Sequence, residues 1–391
     1  MDTKLYRTKT IFNEMNNQPA SINSNVWPIG LDIGYSAVKT FSGNAAVCFP
    51  SYAAINTGTS QINVAGNEDQ NRIKYADEDG EIWDVGASAQ DNISVSDTSA
   101  GSLAIYGRSR YYSPMFKVLA RVGIAVGMRK NQFGDPTGKT LVLQTGLPPK
   151  YIKSDQGMMM DVLKGRHRFS ICIGSGSWEN FDFTINSMPN VIDQPQGTLF
   201  SISTNASMTL TTDARKYFSS RMLIVDPGFG TLDTFPMIRG SITRDNCETD
   251  SNLGMKQVFK ETSDEIFDKF GFEVSVPAMQ QFLETGMVLK REGRAYKKVP
   301  FDDILEKHSR DICKRALERI IDIYNPLVEF DYMVVTGGTG AAWIDFILND
   351  EDFKNSETLQ ILSGNQGDPS LPYIFANARG YYIYAMSRSA A

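Results

Sequence analysis

Two segments in opposite halves of the chain match position for position without a gap, LDIGYSAVKTF at 31–41 and VDPGFGTLDTF at 225–235. Both read aliphatic, Asp, any residue, Gly, aromatic, small, any residue, aliphatic, charged, Thr, Phe. Asp32 pairs with Asp226, Gly34 with Gly228, Tyr35 with Phe229, Ser36 with Gly230, Val38 with Leu232, and Thr40-Phe41 with Thr234-Phe235. An aliphatic run broken by a glycine turn is a strand–turn–strand pattern. One copy alone would read as an ordinary hairpin. The repeat in register predicts two equivalent units, and hence two similar lobes facing each other.

A turn of Gly and small residues lets backbone N–H groups approach phosphate oxygens, because no Cβ stands in the way. Gly34, Tyr35 and Ser36 form such a turn in the first copy, and Gly228, Phe229, Gly230 and Thr231 in the second. An Asp closing the preceding strand repels phosphate but suits the water shell of Mg²⁺, so Asp32 and Asp226 are the candidate metal-facing carboxylates. Lys39, seven positions after Asp32, has the reach and charge to meet a β-phosphate, whereas its counterpart is Asp233. A third element, VVTGGTGAAW at 334–343, is a strand ending in Gly-Gly and running into a helix. There Gly337, Gly338 and Thr339 would offer helix N-terminal amides to the ribose and α-phosphate of a nucleotide. The lysine loop GxxxxGK[ST] occurs nowhere, so nucleotide binding follows a two-hairpin plan and not a P-loop.

The 391 residues are enough for two domains, each with its own core. The net charge of −6 argues against broad contact with a phosphate backbone, so no direct nucleic-acid binding is expected. No stretch approaches the roughly 18–20 apolar residues of a membrane span. The first 25 residues lack an apolar core followed by a small-residue cleavage site, and so do not read as a signal peptide. Cys48, Cys172, Cys247 and Cys313 are scattered without CxxC spacing, which suits a reduced cytoplasm and no structural zinc. His167 and His308 have no neighbouring ligand pattern and read as surface or helix-flank residues.

β-Strand patterns recur at 45–49, 140–144, 169–173, 181–185, 222–225 and 332–335, and helical periodicity lies between them at 113–128, 255–270, 277–291 and 301–324. Strands alternating with helices imply an α/β protein with mostly parallel or mixed sheets. Polar, Asn-rich residues 1–26 predict a flexible N-terminal arm. Residues 27–220 are expected to form lobe I, with a loop-rich insertion at about 52–105, and 221–375 lobe II, with an insertion at about 256–310.

In this order, the two phosphate segments and the Gly-Gly segment resemble the motifs of the actin, sugar-kinase and DnaK-type ATPase superfamily. TGLPP at 145–149, FPS at 49–51 and FANARGYY at 375–382 are similar to signatures of the ParM-like bacterial actins, the plasmid-segregation ATPases, over about 27–385. The resemblance implies an actin-like (ribonuclease H-like) fold: two lobes, each a mixed sheet flanked by helices, with a nucleotide cleft between them. The final helix, about 376–391, would return to lobe I. It also implies Mg²⁺ with ATP or GTP, assembly of the chain with itself into filaments, hydrolysis after assembly, and a DNA-binding adaptor protein linking filament to plasmid. Members place a Glu or Gln on a strand-to-helix corner to orient the attacking water. NVIDQPQGTLF at 190–200 resembles that corner, giving Gln194 as the catalytic candidate beside Asp32 and Asp226, with Gln196 second. The chain departs from the pattern at Tyr35, where a small hydroxyl is usual, and at Gly230 and Thr231, where two hydroxyl residues are. Other classes of the superfamily are a cell-shape actin, which would want an amphipathic anchor, a small-molecule kinase, which would need an acceptor, and a chaperone, which would need a peptide-binding domain.

Overall fold

The computed structural model describes residues 2–18, 25–56, 58, 71–92, 108–186, 191–354 and 356–389. Parts of the expected arm (19–24) and of the first insertion (59–70 and 93–105) lie outside the described residues.

Each copy of the repeat builds the centre of its own sheet, with the same topology. In the first, Val26–Ile33 runs antiparallel to Ala37–Ser42 and parallel to Thr140–Gln144. In the second, Arg221–Pro227 runs antiparallel to Leu232–Ile238 and parallel to Tyr332–Val335. Ala45–Pro50 and Ile11–Glu14 extend the first sheet, and Gln360–Ser363 extends the second. The central strands are buried almost continuously because helices cover both faces, which is why they read as apolar runs and not as strict alternation. Against the first sheet pack Pro114–Gly127 on one side and Ala376–Ser389 on the other. The first of these starts where the Ser113 hydroxyl accepts a bond from the Phe116 amide, with proline at the opening position. Trp27 donates its indole N–H to the carbonyl of Gly127 at 2.8 Å and fixes where this helix ends on the sheet.

The molecule is thus α/β, with two lobe-like regions of mixed sheets flanked by helices. The second region carries Met255–Phe270, Val276–Leu283 and the 22-residue helix Asp302–Ile323, whose Ile304, Leu305, Ile312, Ala316, Leu317 and Ile320 are buried along one stripe. A helix through 277–291 is not what forms. The segment stops at Leu283, Gly286 takes the left-handed conformation at φ 65°, and Met287–Glu292 pairs with Ala295–Pro300 as a hairpin. His167 is also not at the surface: it is buried, and its Nε2 bonds the Leu163 carbonyl at 3.0 Å. His308 sits on its helix between Glu261 and Glu265. All four cysteines are free thiols.

The N-terminal stretch departs most from its composition. Residues 2–18 pack, where a flexible arm was the expectation. Thr3–Tyr6 forms a 3₁₀ turn against the second lobe, with the Thr3 hydroxyl donating to the Leu283 carbonyl at 2.7 Å and the buried Tyr6 hydroxyl to Ser309 at 2.9 Å. Ile11–Glu14 then joins the edge of the first sheet. Polar composition concealed this because few anchors suffice: one buried aromatic ring, a strand's backbone bonds, and Arg7 paired with Glu284 at 2.7 Å.

The regions are joined by helix against helix. Gln194–Ile202 lies on Ala376–Ser389 so closely that a Cβ on Gly380 would overlap the Gly197 carbonyl. The buried Arg379 guanidinium caps the shorter helix by donating to the carbonyls of Ser201, Thr204 and Asn205 at 2.6, 2.9 and 2.7 Å.

Candidate active site

The two hairpins end in matching turns. Gly34 N–H donates to the Ala37 carbonyl at 3.0 Å, and Gly228 N–H to the Thr231 carbonyl at 2.8 Å, the equivalent pair in the repeat. Among the described residues, the amides of Ser36 and Gly230 at the turn tips have no backbone acceptor. A cleft of about 370 Å³ opens between the turns. Every candidate residue from the three glycine segments lines it, together with Lys39, Gln194 and both aspartates. Gln196 is not among its lining residues.

Equal register with unequal charge sets the electrostatics. Asp32 faces Lys39 across the first hairpin, and Nζ lies 2.8 Å from Oδ2. Asp226 faces Asp233 across the second. Burial first, then repulsion from Asp32, raises the Asp226 carboxyl above its usual range; Lys39, Gln194 and Asn377 oppose this. Gln194 Nε2 donates to Asp226 Oδ2 at 2.6 Å, and Asn377 Nδ2 to the same oxygen at 3.3 Å. The amide of Gln194 is therefore fixed by its nitrogen, with Oε1 as its accepting end. Gly337, at φ 77°, passes so near Asp226 that a Cβ would overlap the carboxylate. Only glycine brings the following helix, Gly337–Asn349, to the cleft at this angle.

Two carboxylates from opposite lobes, close enough for Asp32 to raise the pKa of Asp226, form a donor set that suits Mg²⁺. This ion keeps most of its shell as water and phosphate oxygen and takes only one or two carboxylates. Among the described residues, no group of three or more His, Cys, Asp or Glu side chains is arranged to cage a metal.

Asp233 accepts from the hydroxyls of Thr231 at 2.6 Å and Thr249 at 2.7 Å, yet burial pushes its carboxyl up to about 6. A folded-state pKa above the ordinary 3.8 means the folded chain holds this proton more tightly than the unfolded chain. The resulting stabilisation is full below the unfolded value and is lost as pH rises through about 6. Asp233→Asn lacks the proton, so its stability relative to wild type is expected to rise between about pH 4 and pH 7. Urea midpoints across that range check this; a constant difference would show that Asp233 does not titrate there.

Several lining or supporting residues were not among the candidates read from the sequence. Asn377 lies in the FANARGYY segment, and its Oδ1 accepts from Thr198 at 2.8 Å, which ties the C-terminal helix, the Gln194 corner and Asp226 together. Asp193, just before Gln194, is buried and held by Arg244 at 2.6 Å, pinning the corner. Burial raises the Asp193 carboxyl, and Arg244 opposes that. Arg110, Tyr151 and Asp155 line the cleft from the first lobe, and residues 5–9 cross it.

Comparison with known proteins bears on the same region. Residues 30–197 match a family model described as the N-terminal domain of actin-like proteins. No curated protein matches the chain by sequence. Among solved structures, the chain superposes on a ParM from a 15-stranded filament of Clostridium botulinum with a TM-score of 0.68 at 18% identity, covering 93% of this chain and 99% of that one. The chain has the actin-like fold. It is also similar to a Bacillus thuringiensis ParM solved with ATP (TM-score 0.60, 15% identity, 94% and 100% covered). An archaeal actin homologue, Ta0583, solved with ADP, is similar to the same degree (TM-score 0.60, 16% identity, 93% and 99% covered). In this fold the two hairpins and the Gly-Gly helix of the present chain meet in one interlobe cleft. No helix among the described residues is long and apolar enough to cross a membrane.

Proposed function

We propose that this chain is a magnesium-dependent nucleoside triphosphatase that assembles with itself into filaments. The single observation that carries the reading is the convergence of both hairpin turns, the Gly337 helix start, Lys39, Asp32 and Asp226 on one cleft between lobes. The turn amides and Lys39 would hold the polyphosphate, and Gly337–Thr339 the ribose side. Asp32 and Asp226 would hold the Mg²⁺, which neutralises phosphate charge when bound. Gln194, anchored on Asp226, presents Oε1 to a water and holds it in line, much of what phosphoryl transfer asks of a protein. A nucleotide bound to both turns draws the lobes together, and its hydrolysis releases them.

Likeness to filament-forming ParM supports self-assembly, and the finer reading is plasmid segregation. With a net charge of −6, the chain would meet DNA through an adaptor protein and not directly. With Mg²⁺ and ATP or GTP, the purified protein is expected to scatter light at a right angle above a critical concentration and to show filaments by electron microscopy. A protein that stays monomeric with both triphosphates and with a non-hydrolysable analogue has no such function.

A further inference from the structure

Tyr35 and Gly230, two of the positions at which the chain departs from the superfamily pattern, touch each other. A Cβ on Gly230 would stand 3.0 Å from Tyr35 Cδ2, so the glycine makes room for the ring to lie across the gap between the two turns. Over that ring sits the Arg110 guanidinium, 4.6 Å from its centroid, held also against Tyr111 and Phe116 at 5.2 and 5.5 Å. Arg110 lies just before the helix Pro114–Gly127, in the 3₁₀ turn Arg108–Tyr112, and lines the same cleft as Ser36 and Gly228–Thr231. No carboxylate pairs with it among the described residues. A half-buried cation with no anionic partner among the described residues, seated where the two turns meet, is arranged for an anion brought from outside.

We propose that Arg110 contacts the terminal phosphate of the bound nucleoside triphosphate, with Tyr35 as the platform that positions it. This rests on the reading of the cleft as a nucleotide site. One aromatic ring and the guanidinium it carries stand between the turns here, and the guanidinium offers paired N–H donors in a fixed plane. The consequence is selectivity by phosphate number: the terminal phosphate of a triphosphate reaches Arg110, and a diphosphate, which ends one group earlier, does not. An arginine at this place also stabilises charge on the transferring phosphoryl group.

The test is equilibrium binding of adenylyl imidodiphosphate and of ADP, each with Mg²⁺, to the full chain, to Arg110→Ala, Arg110→Lys and Tyr35→Ala, with melting curves to confirm folding. A charge-assisted hydrogen bond is typically worth a factor of about ten or more in affinity. Arg110→Ala is expected to lose about that factor for the imidodiphosphate and much less for ADP. Arg110→Lys should lie between, and added guanidinium chloride at millimolar concentration should restore part of the loss. Tyr35→Ala should show the same selective loss, because the guanidinium loses the nearest of its three ring contacts, the one that holds it beside the turns. Equal losses for both nucleotides would reduce Arg110 to a packing role and overturn the assignment, as would unchanged affinity. Wild-type protein that binds neither these nucleotides nor their guanine counterparts would instead remove the nucleotide reading of the cleft, and this proposal with it.

Discussion

Asp32→Ala is expected to lose magnesium-dependent nucleotide affinity by about a hundredfold or more, together with filament assembly. Two effects act in the same direction. The carboxylate that would anchor the metal's water shell is gone, and the Asp226 carboxyl would then face a bound polyphosphate from the other lobe with its charge uncompensated by metal. Lys39, nearly buried and 2.8 Å from Asp32, also loses its partner, which destabilises the hairpin itself. Asp32→Asn separates the contributions, since it keeps an acceptor for Lys39 without the negative charge. Calorimetric titration with ATP in the presence of Mg²⁺ and of EDTA reads both variants. If Asp32→Asn binds Mg-ATP as wild type does, the carboxylate takes no part in holding the metal.

Gln194→Ala is expected to leave nucleotide binding and assembly nearly intact and to slow hydrolysis by about tenfold to a thousandfold, the usual cost of losing a positioned hydrogen-bonding group in a transition state. Filaments of this variant should persist after wild-type filaments have come apart. Gln196→Ala is the control, because Gln196 lies on the same helix start but away from the cleft. Phosphate release by the two variants decides the matter. A slow Gln196→Ala beside a normal Gln194→Ala would mean that the corner acts in the other register. Normal rates in both would place the water-holding group elsewhere in the cleft.

The parts of the site visible in the primary structure are those that depend on backbone. The turns need small residues wherever they occur, and the strands that feed them need apolar runs, so both leave a local imprint twice over at 31–41 and 225–235. The helices at 114–127, 255–270 and 302–323 were legible for the same reason, as burial on one stripe imposes a period of 3.6. The helix expected through 277–291 failed because the hairpin after Leu283 carries Leu289, Lys290 and Arg291, which suit a helix equally well, and the break rests on Gly286. The N-terminal stretch failed because its order comes from partners nearly the whole chain away, Leu283 and Ser309, and not from its own composition.

The sequence alone determined that there are two equivalent hairpins, that each ends in a glycine turn, and that one carries Lys39 where the other carries Asp233. Those are requirements of single turns, met by residues adjacent in the chain. Only the tertiary structure decided that Gln194 and not Gln196 reaches the cleft, that Asn377 and Gln194 share one oxygen of Asp226, and that Arg110 rests on Tyr35 beside Gly230. Each of these joins side chains from segments far apart, through the packing of the C-terminal helix on the Gln194 corner and of one lobe against the other. A contact across such a distance imposes no period and no spacing on the residues that make it, so it can be recognised only once the chain has brought them together.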